Sequence, residues 1–265
     1  MGELLLNGCS PFTNFAQNLL MQLVIDIGNT FIKIGLFEKD ALRIHAMFEH
    51  DDFRREINQI IQKYDIKSSI VSSVGKLKDI DKQWLSDNLA VLVLNQETKV
   101  PFINRYETPH TLGVDRIALA AAASINFPKH NVLILDAGTC ITYDFIDCNN
   151  TYWGGAISLG VQSRYRALHD YTAKLPLLEK QNPENYLGNN TQNSIHSGVV
   201  NGTLQEIEGV INQYSTDYKK LTVVLTGGDA EFLAKQLKSS IFVRPFFLLE
   251  GLYTILKLNT NDKKD

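Results

Sequence analysis

Hydrophobic and polar positions along this chain switch between a period of two and a period near 3.6, and the switches mark its elements. From Gln22 the run QLVIDIGNTFIKIGLFEKDALRIHAMF holds two β-rich stretches around Gly28-Asn29-Thr30 and a third after Lys39-Asp40, which predicts an antiparallel meander. Residues 51–64 follow with Phe53, Ile57, Ile60, Ile61 and Tyr64 at helical spacing behind an Asp-Asp start. Ser69 to Val74 and Ala90 to Leu94 read as short buried strands, separated by a helix near Ile80 to Leu89. Gly113 to Phe127 reads as an alanine-rich helix stopped by Pro128.

A second meander then opens with NVLILDAGTCITYDFID. Its Ile134-Leu135-Asp136-Ala137-Gly138-Thr139-Cys140 parallels Val24-Ile25-Asp26-Ile27-Gly28-Asn29-Thr30. A repeated supersecondary unit fixes architecture before any local detail does. A strand at Tyr152 to Ser158, helices near 161–173 and 191–214, a strand at Leu221 to Leu225 and a closing helix near 247–258 complete the second copy. The pattern predicts an α/β protein of two related, closely packed lobes, 21–128 and 129–265.

Composition narrows the classes of function. Hydrophobic residues make up 44% and charged residues 21%, with a net charge of -3, as in an ordinary soluble globular protein. Basic residues are scattered, which argues against nucleic acid and anionic membranes as partners. No apolar run approaches the roughly 20 residues of a membrane-spanning helix. Cys9, Cys140 and Cys148 have no metal-ligand spacing and leave one unpaired, which points to a reducing cytoplasm. Residues 1–20 show no periodicity, and the apolar run Leu4-Leu5-Leu6 before Cys9 is short and lacks a preceding positive charge, unlike a secretory signal. They read as an upstream extension or expression remnant, with Met21 as the functional start. The histidines show no ligand spacing, and Trp84 and Trp153 read as packing residues.

Candidate chemistry concentrates at the two turns. In Asp26-Ile27-Gly28-Asn29-Thr30-Phe31-Ile32-Lys33, Gly28 lets backbone amides approach an anion, Asn29 and Thr30 add donors, and Asp26 can hold magnesium directly or through water. Phosphoryl transfer needs those parts. A plain hairpin turn is the rival reading of either copy alone, but two copies suit a nucleotide clamped in a cleft. Thr226-Gly227-Gly228-Asp229-Ala230, between strand and helix, offers a ring or phosphate surface, or else an Asp229 helix cap.

Taken in order, D-I-G-N-T-x-x-K, L-G-x-D-R, D-A-G-T-x-x-T, G-G-A-I, L-P, T-x-x-S-I-x-x-G and T-G-G-D-A resemble the type III pantothenate kinases, from about Met21 to Leu256. The resemblance implies the actin-like fold of the acetate and sugar kinase, chaperone and actin superfamily, with two ribonuclease H-like lobes and a central cleft. It also implies ATP-dependent phosphorylation of pantothenate to 4'-phosphopantothenate, the first step of coenzyme A biosynthesis, in a cytoplasmic homodimer. Magnesium and a monovalent cation, potassium or ammonium, are the implied ions. Asp26, Ile27, Gly28, Asn29, Thr30, Phe31, Ile32 and Lys33 match the ATP-phosphate loop, and Thr139 a further ATP contact. Gly113, Val114, Asp115 and Arg116 match the pantothenate-binding run, with Asp115 at the catalytic base. Tyr106 and Thr191 match further substrate contacts, and Asp136 the monovalent-cation ligand. Leu159 stands where the family usually has proline, and Cys140-Ile141 replace small residues; both bear on loop rigidity more than on chemistry.

The chemistry of Asp115-Arg116 agrees with that reading. A hydroxyl attacking phosphorus needs a carboxylate to take its proton, and an anionic substrate needs a cation such as Arg116. The bland alternative has Asp115 capping the helix and Arg116 solvated or paired to it. Another small-metabolite kinase, and a non-catalytic regulatory protein of the same fold, are the competing functions.

Overall fold

The computed structural model describes residues 20–73 and 78–261. All of the 1–20 extension except Leu20, Val74 at the end of a predicted strand, and the end of the basic tail lie outside the described residues. In chain order the elements begin with β1 (Met21–Ile27), β2 (Ile32–Glu38), β3 (Ala41–Phe48), α1 (Phe53–Lys63), β4 (Ile66–Ser73), α2 (Asp79–Asn88) and β5 (Val91–Val93). There follow β6 (Ile103–Asn104), α3 (Val114–Asn126), β7 (Asn131–Ala137), β8 (Cys140–Ile146), β9 (Thr151–Leu159) and α4 (Val161–Asp170). The chain closes with α5 (Thr191–His196), α6 (Gly202–Asp217), β10 (Leu221–Thr226), α7 (Ala230–Ala234), β11 (Phe242–Val243) and α8 (Phe247–Asn261).

These elements form two compact units. Among the described residues, the first comprises those up to Phe102, Glu107–Ile125 and those from Leu248 on; the second comprises Ile103–Tyr106 and Asn126–Phe247. The first sheet runs β3-β2-β1-β4-β5, and the second β11-β10-β7-β8-β9-β6. In both, an antiparallel meander continues from its first strand into parallel strands, β4 and β5 beside β1, β10 and β11 beside β7. The repeated sequence pattern therefore folds as the same topology twice, with β6 added at one edge.

Each central strand is buried on both faces, which is why it reads as an almost continuous apolar run. Leu23, Ile25 and Ile27 of β1 meet Phe53, Ile57 and Leu85 of the helices over one face. By the alternation of a strand, Gln22, Val24 and Asp26 share the opposite face. There Tyr253 Oη of α8 donates to Gln22 Oε1 at 3.3 Å. α8 lies against α3 with backbones almost touching, since a Cβ on Gly251 would fall 1.8 Å from the Ala118 carbonyl oxygen. Ala118 and Ala120 to Ala123 are fully buried, and their small side chains permit that approach.

The observed structure departs from the sequence pattern in four places. α8, which follows the second copy in sequence, packs with the first unit. The helix expected over 191–214 is interrupted by a π-helical stretch at Ser197–Asn201, between α5 and α6. Strands β6 and β11, two residues each, are too short to show a period. Trp153 is not a packing residue: it is 56% exposed, and its indole N–H donates to Asp147 Oδ2 at 3.0 Å.

Candidate active site

The first unit's site starts at the end of β1. Asp26 lies opposite Lys33 on β2 and opposite Ser72 on β4. Ser72 Oγ donates to Asp26 Oδ1 at 3.0 Å. Asp26 is only 5% exposed, and burial pushes its carboxyl up to about 6. Lys33 and the Ser72 hydroxyl work against that rise, while the charge of Asp115 adds to it. The charge of Asp115 thus reaches Asp26 within this unit.

The loop after Asp26 is closed by Gly28 N donating to the Phe31 carbonyl at 3.1 Å. From the turn after β3, His50 Nε2 donates to the Gly28 carbonyl at 3.1 Å. Asn29, Thr30 and Phe31 are exposed, as loop donors must be. Ile27 and Ile32 are wholly buried, so only their backbone is available to a ligand.

Asp115 is the second residue of α3. Its Oδ1 accepts from the Arg116 backbone N–H at 2.8 Å, so it does satisfy one orphan donor of the helix start. A Cβ on Gly113 would stand 2.4 Å from the same Oδ1, so glycine makes the room this carboxylate occupies. Leu112, buried ahead of it, has its carbonyl held by Gln96 Nε2 at 3.0 Å. Val114 and Arg116 are buried, and Arg116 is not the solvated side chain of the bland alternative.

In the second unit Asp136 ends β7 in the place that Asp26 takes on β1. Thr142 of β8 and Thr226 of β10 stand opposite it, where Lys33 and Ser72 stand opposite Asp26. Thr142 Oγ1 is buried with no hydrogen-bond partner. The Gly138-Thr139 turn is clamped from α4, with Gly160 N and Ser163 Oγ donating to the Thr139 carbonyl at 3.0 and 2.7 Å. Leu159 is held by Arg164 Nε, which donates to its carbonyl at 2.8 Å. Cys140 is exposed, and Ile141 is a core residue.

Gly227 has φ +95, and a Cβ there would lie 2.3 Å from the Ala137 carbonyl, so the strand-to-helix turn needs glycine. The side chain of Asp229 does not cap α7; it is ion-paired with Lys180. Tyr106 lies beneath Gly154 and 6.3 Å from the Tyr152 ring. Thr191, exposed, starts α5 behind the Asn190 cap, which accepts from Asn193 N at 2.9 Å.

Sequence reasoning missed Ser72, His50, Ser163 and Lys180. Only Ser72 left a signal, a serine inside the apolar stretch Ile70-Val71-Ser72-Ser73 of β4.

A repeated ribonuclease H-like unit, with a carboxylate and a glycine turn at the end of each central strand, defines the actin-like class of fold. A Baf-family transcriptional activator from Campylobacter jejuni has the same fold, with TM-score 0.57 and 22% identity, covering 90% of this chain and 99% of that one. So does a glucokinase from an Antarctic psychrotroph, with TM-score 0.52 and 12% identity over 90% of this chain and 99% of that one. Residues 22–213 match the sequence pattern of the type III pantothenate kinases. The type III pantothenate kinase of Flavobacterium johnsoniae is 49% identical over 236 residues, 88% of this chain and 96% of that protein. The chain belongs to the type III pantothenate kinase family, and it is a transferase, a kinase. Kinase chemistry in this family uses ATP and a divalent metal.

Proposed function

We propose that this protein transfers the γ-phosphoryl group of ATP to the primary hydroxyl of pantothenate, giving 4'-phosphopantothenate at the entry to coenzyme A biosynthesis. The observation that carries this reading is Asp115 at the start of α3, placed by Gly113 and close enough to Asp26 to raise its carboxyl. One carboxylate for the metal and a second for the proton are what hydroxyl phosphorylation needs.

The residues divide the work. Gly28, Asn29, Thr30 and the backbone of Ile27, Phe31 and Ile32 present donors to the phosphates, and Lys33 brings a positive charge. Asp26, a buried carboxylate whose charge is under-compensated, fits a magnesium ion held directly or through water. Bound magnesium neutralises charge on the phosphates. Asp115 accepts the hydroxyl proton as that oxygen bonds to the γ-phosphorus and the bond to the β-phosphate oxygen breaks. On the first unit, Gly113, Val114 and Arg116 are proposed to contribute to pantothenate binding. On the second unit, Tyr106 and Thr191 are proposed substrate contacts and Thr139 an ATP contact.

Asp136 is the proposed ligand of a monovalent cation, potassium or ammonium. The oxygen set fits such an ion, because the partnerless hydroxyl of Thr142 stands in register with that carboxylate. A cytoplasmic location and a homodimer complete the reading, the homodimer supported by the exposed apolar side chains of Leu159, Tyr171, Tyr186 and Leu187. No helix among the described residues is long and apolar enough to cross a membrane.

A coupled assay of ADP release with ATP and pantothenate tests the reading directly. Turnover that requires pantothenate is the expected result. Turnover with sugars instead points to the sibling kinase reading, and no turnover with any acceptor points to the regulatory one.

A further inference from the structure

The buried carboxylate of Asp26 is anchored by one side chain that neither the motifs nor the family match singles out. Ser72 lies on β4, directly across the parallel ladder from Asp26 on β1, and it is completely buried. Its Oγ donates to Asp26 Oδ1 at 3.0 Å. A carboxylate swings about its terminal bond with little preference, so one fixed oxygen decides where the other points. The neighbouring strand supplies that fixed oxygen here, on a rigid sheet and away from solvent.

The repeat provides an internal comparison. In the second unit the residue across the parallel ladder from Asp136 is Thr226, again a buried hydroxyl at the end of the adjacent strand. The same topological position thus carries a hydroxyl behind the aspartate in both units. A residue serving only to fill the first core at this point would need no oxygen, since Ile70 and Val71 beside it are apolar.

We propose that Ser72 is a positioning residue for the metal-binding carboxylate, holding Asp26 in the single orientation from which it engages the divalent ion of the nucleotide complex. This rests on the reading of Asp26 as that carboxylate. Partners that orient a metal ligand from behind typically matter by about 10- to 100-fold in metal affinity or activity. Thr226 shows that a buried threonine fits this position of the topology.

The test uses the full chain with Mn2+ in place of magnesium and a non-hydrolysable ATP analogue, reading bound Mn2+ by electron paramagnetic resonance beside turnover and melting temperature. Ser72→Ala is expected to weaken Mn2+ binding in the ternary complex by about ten-fold or more while the protein stays folded. Ser72→Thr is expected to remain within about three-fold of the parent, because it keeps the hydroxyl. Asp26→Asn separates the two levels of the argument. If it abolishes the tight Mn2+ signal while Ser72→Ala leaves affinity unchanged and only lowers the melting temperature, Ser72 is merely structural and the proposal falls alone. If Asp26→Asn also leaves Mn2+ affinity unchanged, the reading of Asp26 falls and the Ser72 proposal with it. Should Ser72→Ala fail to fold, weakened Mn2+ binding in a folded Ser72→Thr protein would overturn the proposal, and parental binding would support it.

Discussion

Asp26 and Asp115 carry opposite demands at the scale of single residues. Asp26 is held in a buried place that disfavours its charge, and the sign of the consequence is fixed. Its folded-state value near 6 is above the ordinary 3.8, so the folded protein holds this proton more tightly. Stability from that source is full below about pH 4 and is lost as pH rises through about 6, a loss of up to ~3 kcal/mol in metal-free protein. Asp26→Asn keeps an acceptor for Ser72 and removes the charge. We expect it to melt higher than the parent at pH 8 in chelator, to match it near pH 4, and to be inactive. Denaturant melts at both pH values decide this; equal parental and variant stability at pH 8 would contradict it. Asp115→Asn tests the base. Asparagine can still accept the Arg116 N–H, so stability should move by less than about 1 kcal/mol. Turnover should fall about 10²- to 10⁴-fold with ATP affinity kept. Near-normal turnover in that variant would return Asp115 to a helix-start role.

Among the elements, contacts between backbones set the tolerances. In an open helix Gly→Ala gains about 1 kcal/mol. At Gly251 the added carbon would meet the Ala118 carbonyl at 1.8 Å, and overpacking of that kind costs about 1–3 kcal/mol or more. We therefore expect Gly251→Ala to lower the melting temperature although it improves helix propensity. Gly160 is a sharper case for function, because its φ of -67 suits any residue and sterics alone decide. A Cβ there would lie 1.9 Å from the Gly138 carbonyl, so α4 must retreat from the Gly138-Thr139 turn. The expected result for Gly160→Ala is a raised KM for ATP, about ten-fold or more, with a smaller effect on the KM for pantothenate. Equal changes in both would place the damage in the fold as a whole. At Leu159 the Arg164 hydrogen bond, with Arg164 itself paired to Glu206 at 2.5 Å, supplies an anchor for a residue that lacks proline's fixed backbone.

For the whole molecule, the predictions concern assembly and ions. Light scattering is expected to give twice the chain mass, since twofold pairs are the commonest closed assemblies and apolar side chains of the second unit stand exposed. A fully active monomer would refute it. Potassium or ammonium should raise turnover well above sodium at constant ionic strength, and Asp136→Asn should erase the difference. Indifference to the cation in the parent would remove Asp136 from that role.

What the chain determined by itself is what repeats locally. The two Asp-x-Gly turns, each between an apolar strand and an alternating one, showed the doubled topology, because strand period and turn chemistry are properties of neighbouring residues. The Lys39-Asp40 turn was legible for the same reason, and both residues have positive φ, as a two-residue hairpin demands. Asp26, Asp115 and Asp136 stood out through their glycine company. Tertiary structure alone decided which distant residues serve them. Ser72 is 46 positions from Asp26 and meets it only because β4 pairs in parallel with β1. α8 follows the second copy in sequence yet packs on the first unit, where Tyr253 donates to Asp40 at 2.9 Å. Arg116 reads as a cation for an anionic substrate, and only packing decided that its side chain is buried. Such contacts arise from pairing between strands and packing between helices far apart in the chain, and a period read along the sequence carries no record of either.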